Sequence, residues 1–238
     1  GTYEVSFVDG TQVTLSDGIS LRGGWSADFS TNDPAEYETV IIDTSTTTIP
    51  EGGNCAVLSP DGVTLDTVVE GFTIIGGGGS YANGIKIVDS SPTIRNCVVR
   101  GGHADDGTTT LGTGIFCYNS SAHIDSCEVT GGSNPNAGWS NGIYLWNCPT
   151  EALIENCTIF AGAAAVAANG ITCNENTSAS IIGNSISGGT ASSIVGITAF
   201  NLSAPEIRGN NIAAIGNGCV KAIGISLSQS TALVIENT

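Results

Sequence analysis

A glycine-isoleucine pair recurs along this chain at nearly constant spacing, and this repeat constrains the fold more than any other feature. The pairs are Gly84-Ile85, Gly114-Ile115, Gly142-Ile143, Gly170-Ile171, Gly196-Ile197 and Gly224-Ile225. Successive pairs are separated by 30, 28, 28, 26 and 28 residues. Such a period is typical of arrays in which each repeat buries its apolar face against its neighbours. The chain is therefore expected to form a solenoid.

Each repeat also contains a second apolar anchor, followed five residues later by another aliphatic residue. The anchors are Ile94, Ile124, Ile154, Ile181, Ile207 and Ile235, and the following aliphatic residues are Val99, Val129, Ile159, Ile186 and Ile212. The sequence shows no helical periodicity. The residues after each repeat glycine instead fit the alternation of inward and outward side chains in a β-strand. The first and third of these residues are predicted to point inward, and the second and fourth outward.

The repeat phrases resemble those of a known superfamily. Ser91-Pro92-Thr93-Ile94-Arg95-Asn96-Cys97 and Val69-Glu70-Gly71-Phe72-Thr73-Ile74 are similar to the coils of the right-handed parallel β-helix, the pectate-lyase-like solenoids. The resemblance covers essentially the whole chain. It implies an all-β right-handed parallel β-helix. Counting anchors from Val13 to Ile235 gives about nine coils, at about 4.8 Å of rise for each coil.

The resemblance also implies a single domain over 1–238, with less regular coils over 1–60 and regular coils over 61–238. Residues 26–38 are interpreted as a loop or lateral excursion. Family members stack asparagine side chains in ladders at their turns. Asn184 and Asn210 share a register with Cys97, Cys127 and Cys157, which predicts a ladder that changes from thiol to amide.

Both ends of the chain lie within repeat phrases. We therefore expect a fragment of a longer protein, or a unit that stacks head to tail on other copies. The resemblance is to secreted bacterial proteins, which implies an extracellular or cell-surface location.

Outward positions on two consecutive coils hold an aromatic patch, which consists of Phe116, Tyr118, Tyr144 and Trp146 together with Trp139 from the preceding loop. Three interpretations remain open. Long neighbouring loops could cover the rings, the rings could bury in a protein contact, or they could stack on sugars.

The charge of the chain excludes one class of partner. Six basic residues against 22 acidic residues give a net charge of −16. Nucleic acids and anionic membranes would be repelled. No apolar run approaches the length of a membrane span, so membrane insertion is not expected.

Catalytic motifs are scarce. Asp105 and Asp106, close to Arg100 and His103, form a weak candidate site for Ca²⁺, and no other cofactor is expected. The Gly-His-Gly and Arg-x-Lys motifs of polygalacturonase-like hydrolases are absent. The stacked outward positions hold aromatic residues, threonine and serine in place of the carboxylates of the family lyases.

The eight cysteines form no Cys-x-x-Cys motif, which disfavours zinc and thioredoxin-type sites. Most are predicted to be buried thiols that act as small apolar side chains, and a disulfide of Cys148 with a neighbour is left open.

Two functions remain after these exclusions. The first is a structural surface solenoid without catalytic activity, such as an adhesin stalk, surface-layer component or filament subunit, that contacts other copies or surface proteins. The second is a β-helix that binds or degrades polysaccharides through the aromatic patch. If the chain is an enzyme, we expect a polysaccharide lyase or a glycoside hydrolase.

Overall fold

The computed structural model describes residues 1–6, 12–46, 53–103, 111–134, 138–149, 152–216 and 219–238. These residues form β-strands joined by turns and contain no helix. The described part of the chain consequently has no helix that is long and apolar enough to cross a membrane. The prediction of an all-β solenoid is confirmed.

Three parallel sheets run along the solenoid, and the chain visits sheets 1, 2 and 3 in turn on every coil. Sheet 1 contains Thr2–Val5, Val40–Asp43, Thr73–Ile75, Val98–Arg100, Glu128–Thr130, Thr158–Phe160, Ser185–Ser187 and Asn211–Ala213. Sheet 2 contains Val13–Thr14, Asn54–Ser59, Tyr81–Val88, Leu111–Tyr118, Trp139–Trp146, Ala167–Asn174, Ser193–Phe200 and Lys221–Ser228. Sheet 3 contains Leu21–Arg22, Val68–Glu70, Thr93–Arg95, His123–Asp125, Ala152–Glu155, Ala179–Ile182, Glu206–Arg208 and Leu233–Ile235. A small fourth sheet pairs Ser133–Asn134 with Ala163–Ala164.

The expected count of about nine coils is too high. Six strands of sheet 2, from Tyr81–Val88 onward, are eight residues long and mark the regular turns. Two coils with shorter strands precede them in the described structure. Between Leu21–Arg22 and Val40–Asp43 the chain makes a lateral excursion, which contains an antiparallel bridge between Trp25 and Asn32. The excursion uses chain length that even spacing would assign to another coil.

The repeat glycine allows sheet 2 to approach sheet 1. A Cβ atom on Gly84, Gly114, Gly142, Gly170 or Gly196 would lie less than 3.0 Å from a methyl group on sheet 1. Those methyl groups belong to Val99, Val129, Ile159, Ile186 and Ile212, which are the aliphatic residues that follow each second anchor. The two halves of the sequence repeat are therefore direct packing partners inside each coil.

The predicted inward positions form the core. The first residue after each glycine is fully buried from Ile85 to Ile197, and so is the third residue from Ile87 to Ala199. In the last described coil, Leu227 is 45% exposed, since only one neighbouring coil packs against its strand in the described structure. The inward and outward faces thus follow the alternation read from the sequence.

A second vertical row runs along the turn after sheet 3, where Cys97, Cys127 and Cys157 are followed by Asn184 and Asn210. The residue before each of these five has a positive φ and is asparagine, serine or glycine. The last coil continues the row with Asn237, whose side chain bonds to that of Asn210.

The register of the last coil corrects one anchor. Ile207 pairs with Val234, so Val234 occupies the position expected for Ile235. Asn237 then falls three residues after the anchor, like Asn210 and Asn184 before it.

All eight cysteines are free, including Cys148, and seven are buried. Burial raises the pKa of the Cys55 thiol to about 12 and also raises the pKa of Cys117.

Since the thiolate is the reactive form, we expect the folded protein to react with Ellman's reagent mainly at Cys219, which is partly exposed. All eight thiols should react after unfolding without reductant, and Cys219→Ser should remove the native reaction. Fewer than eight thiols in the unfolded protein would contradict this prediction.

Candidate functional site

Sheet 2 brings the five residues of the aromatic patch onto two neighbouring strands. Phe116 lies opposite Tyr144, and Tyr118 lies opposite Trp146, while Trp139 begins the second strand. Tyr118, Trp139 and Trp146 are 37%, 42% and 36% exposed, whereas Phe116 and Tyr144 are half-buried. The rings thus lie together on the outer face of one sheet.

The rings of the patch hold one another in place. Phe116 and Tyr144 are edge-to-face, with ring centroids 5.6 Å apart at 73°. Tyr118 and Trp146 are also edge-to-face, at 5.8 Å and 83°. Tyr144 and Trp146 are nearly parallel, at 6° and 6.3 Å. Aromatic pairs in these arrangements contribute about 0.5–1.5 kcal/mol beyond burial, so the patch is preorganised.

Two adjoining cavities lie over the patch and differ in chemistry. The first, which we name the polar cavity, has a volume of about 430 Å³, and the second, the apolar cavity, about 470 Å³. Tyr81, Leu111 and Tyr144 line both. The polar cavity is also lined by Trp139, Asn141, Ala167, Asn169, Thr172, Thr198 and Phe200. The apolar cavity is also lined by Asn83, Lys86, Val88, Phe116, Tyr118 and Trp146.

Sequence reasoning missed the residues that precede the repeat glycine. Tyr81 and Leu111 lie three residues before their glycines, as Trp139 does, and the three are register partners across the sheet. Asn141 and Asn169 lie one residue before theirs. Strict alternation carried back through the glycine would place the residues one and three positions before it on the inward side, so the rule that holds after the glycine does not identify this row.

Hydrogen bonds fix the polar groups in the floor of the polar cavity. The Asn141 Oδ1 atom accepts from Asn169 Nδ2 at 3.0 Å and from Thr172 Oγ1 at 2.7 Å. The Tyr144 hydroxyl accepts from Asn174 Nδ2 at 3.0 Å. Burial raises the pKa of Tyr144, and the hydrogen bond from Asn174 offsets only part of that rise. Tyr144 therefore presents a neutral hydroxyl at physiological pH.

The weak Ca²⁺ candidates Asp105 and Asp106 lie outside the described residues. His103 next to them forms bridges to Gly78 and Ser133, and its Nδ1 atom lies 3.0 Å from the Ser133 carbonyl oxygen. No set of three histidine, cysteine or acidic side chains that could hold a metal occurs in the described ranges. Neither cavity has a carboxylate among its described lining residues. The described lining of the two cavities offers aromatic stacking and hydrogen bonding, with Lys86 as its one charged side chain.

Several ionic contacts lie on sheet 3. Glu70 accepts from Arg95 at 2.9 Å and lies 3.6 Å from Arg22. His123, for which the sequence indicated no role, has its Nε2 atom 2.9 Å from Glu155 Oε1. These pairs are partly exposed, so each contributes about 0–1 kcal/mol. Sheet 3 is thus a solvated charged face, distinct from the aromatic face of sheet 2.

The solved structures of a pectate lyase and of two epimerases are similar to this chain in fold. Pectate lyase Pel9A is 15% identical, with a TM-score of 0.45 over 100% of this chain and 69% of its own. The A-module of the Azotobacter vinelandii mannuronan C-5 epimerase AlgE4 is 12% identical, with a TM-score of 0.40, and the match covers 100% of this chain and 86% of that module. A mutant of the periplasmic alginate epimerase AlgG is 12% identical with a TM-score of 0.40. That match covers 84% of this chain, which spans only 52% of the epimerase.

Comparison with curated protein sequences gives no match. The family described as "Right handed beta helix region" matches residues 113–238, which is more than half of the chain. The matched stretch contains the regular coils from Thr113 onward and all five residues of the aromatic patch. The repeat, the three parallel sheets and this match agree: the chain belongs to the right-handed β-helix family.

Proposed function

We propose that this protein binds a glycan on the outer face of sheet 2. The observation that carries the proposal is the aromatic patch beside a cavity floored by ordered amide and hydroxyl groups. Small-molecule sites typically combine apolar walls with a few fixed polar groups. Sugars offer both kinds of surface, because their C–H faces stack on aromatic rings and their hydroxyls bond to amides. As part of this proposal, the protein acts outside the cell.

The charge distribution favours a neutral glycan. The protein carries a net charge of −16, and Lys86 is the one basic residue among the described lining residues of the two cavities. A polyuronate would be repelled by the whole molecule and would meet only one cation at the site. Neutral sugars avoid this electrostatic cost. The proposed activity is therefore recognition of neutral oligosaccharides or polysaccharides.

Tryptophan fluorescence provides the test, because two of the three tryptophans line the proposed site. We expect neutral oligosaccharides to change the emission of the wild type and acidic ones to have little effect. Trp139→Ala should weaken binding about thirtyfold, since removal of a tryptophan anchor commonly costs about 2 kcal/mol.

Trp25→Ala is the matched control. Trp25 is 38% exposed, close to the 42% of Trp139, but it lies in the lateral excursion and lines neither cavity. Its replacement should leave affinity unchanged. A panel of neutral glycans that produces no response in the wild type would refute the proposed function, and so would equal losses in the two variants.

A structural role is the second candidate. It is favoured by the three sheets, which continue without interruption in strand order from the first coil to the last. Such a rod could serve as a stalk or stack on other copies. Electron microscopy over a range of protein concentrations tests this role. Short particles of uniform length at every concentration would argue against a filament.

A further inference from the structure

We propose that the apolar cavity binds an apolar substituent, an aryl or short acyl group, carried by the neutral glycan that occupies the polar cavity. This inference rests on the proposed function and adds the chemical class of the ligand. The substituted glycan would lie across Tyr144, with its sugars over Asn141 and Asn169 and its apolar group against Tyr118 and Trp146.

The apolar cavity is poorly suited to a bare sugar. Val88 and Phe116 have no polar side-chain atoms, and the rings of Tyr118 and Trp146 contribute mainly carbon surface. The Asn83 amide already donates to the Asn54 carbonyl oxygen at 3.2 Å. Lys86 is the one charged residue described in the lining, and sugar hydroxyls placed over the carbon surface of the other walls would lose hydrogen bonds with water, which is unfavourable. An apolar group loses nothing there and buries carbon surface.

The ring arrangement favours an aryl group in particular. The Tyr118 and Trp146 rings meet at 83°, so the cavity presents both a ring face and a ring edge. An added aromatic ring can complete either an edge-to-face or an offset-stacked contact. The walls are already held in this geometry by their own contacts, so little side-chain freedom is lost on binding.

The two cavities are also close enough to serve one ligand. Tyr81, Leu111 and Tyr144 line both, and Phe116 and Tyr144 lie on neighbouring strands. A substituent joined to the bound sugar enters the apolar cavity as part of the same molecule. Its effective concentration there is high, and it increases affinity without a second association cost. A free aryl compound lacks this advantage and should bind weakly.

Calorimetry with matched ligand pairs tests the inference. The probes are cellotetraose, xylotetraose and mannotetraose, each compared with its phenyl glycoside and with phenol alone. For a tetraose that binds, we expect the phenyl group to lower the Kd about tenfold, which corresponds to one well-formed apolar contact. Tyr118→Ala and Trp146→Ala should each reduce this gain to about twofold or less, and the readout is the ratio of the Kd values of the two members of a pair in each variant.

The outcomes separate the two proposals. A tetraose that binds equally well with and without the phenyl group overturns the inference and leaves the glycan-binding function intact. If the phenyl group increases affinity by the same factor in both variants, the inference is also overturned, because that increase then arises outside the apolar cavity. If no tetraose or phenyl glycoside binds, the proposed function and the inference fail together. Asn169→Ala should weaken both members of a pair equally, which assigns the sugar portion to the polar cavity.

Discussion

Replacing the central repeat glycine, Gly142→Ala, is expected to destabilise the protein by about 3 kcal/mol. The new Cβ atom would lie 2.5 Å from Ile159 Cγ2 and 2.6 Å from the Gly170 carbonyl oxygen. The first neighbour is a fully buried core side chain, and the second is backbone on the adjacent coil. Neither can move aside without disturbing the packing of sheet 1 or the position of the adjacent coil. The midpoint of urea unfolding measures the effect.

Gly224→Ala is the matched control for this prediction. Gly224 occupies the same repeat position in the last coil, where an added Cβ would meet only Ile212 Cγ2, at 4.0 Å. Its φ is not positive, so alanine fits the backbone, and stability should change by less than about 1 kcal/mol in either direction. Equal destabilisation by the two substitutions would contradict this account, because it would show that glycine is required for the backbone conformation of the strand and not for the close packing of sheet 2 on sheet 1.

Asn210→Ala is expected to lower the free energy of unfolding by about 3 kcal/mol or more. It removes the middle side chain from the hydrogen-bonded row of Asn184, Asn210 and Asn237. The Asn210 Oδ1 atom accepts from the backbone nitrogen of Asn184 at 2.9 Å and from its Nδ2 at 3.0 Å. The Asn210 Nδ2 atom donates to the Ile181 carbonyl oxygen and to Asn237 Oδ1, both at 2.9 Å. Alanine leaves several buried donors and acceptors without partners. Denaturant unfolding of the variant measures the loss.

Cys127→Ala provides the comparison within the same row. The Cys127 thiol makes weak sulfur contacts, at 3.6 Å to the Ile94 carbonyl oxygen, at 3.3 Å to that of Asp125, and with the neighbouring thiols of Cys97 and Cys157. Removing it takes away one buried atom and no strong hydrogen bond, so the expected cost is about 1 kcal/mol. Losses of the same size at the two positions would contradict the view that the amides link successive coils more strongly than the thiols do.

Much of the fold follows from the repeat. The spacing of Gly142-Ile143 and its equivalents places buried side chains on the correct face, since alternation in a strand is a local property. The coil count and the register of Val234 could not be derived in the same way. Both depend on excursions and on coil lengths, and a one-residue difference in coil length moves the alignment from Val234 to Ile235 without changing the apolar pattern.

The site was only partly predictable. Phe116 and Tyr144 follow their glycines, so the alternation rule assigned them to the outer face. Tyr81 and Leu111 precede theirs, and their place beside the patch depends on how each strand of sheet 2 continues through its glycine. The division into a polar and an apolar cavity depends on side-chain contacts such as that between Asn141 and Asn169, which the sequence alone does not specify.

The most direct test of the glycan-binding function is a fluorescence titration of the wild type, Trp139→Ala and Trp25→Ala with the same neutral oligosaccharide. The proposed function predicts saturable binding of equal affinity for the wild type and Trp25→Ala, and a large loss of affinity for Trp139→Ala. Saturable binding that Trp139→Ala retains in full would contradict the assignment of the site to sheet 2, and absence of binding across the neutral panel would contradict the function itself.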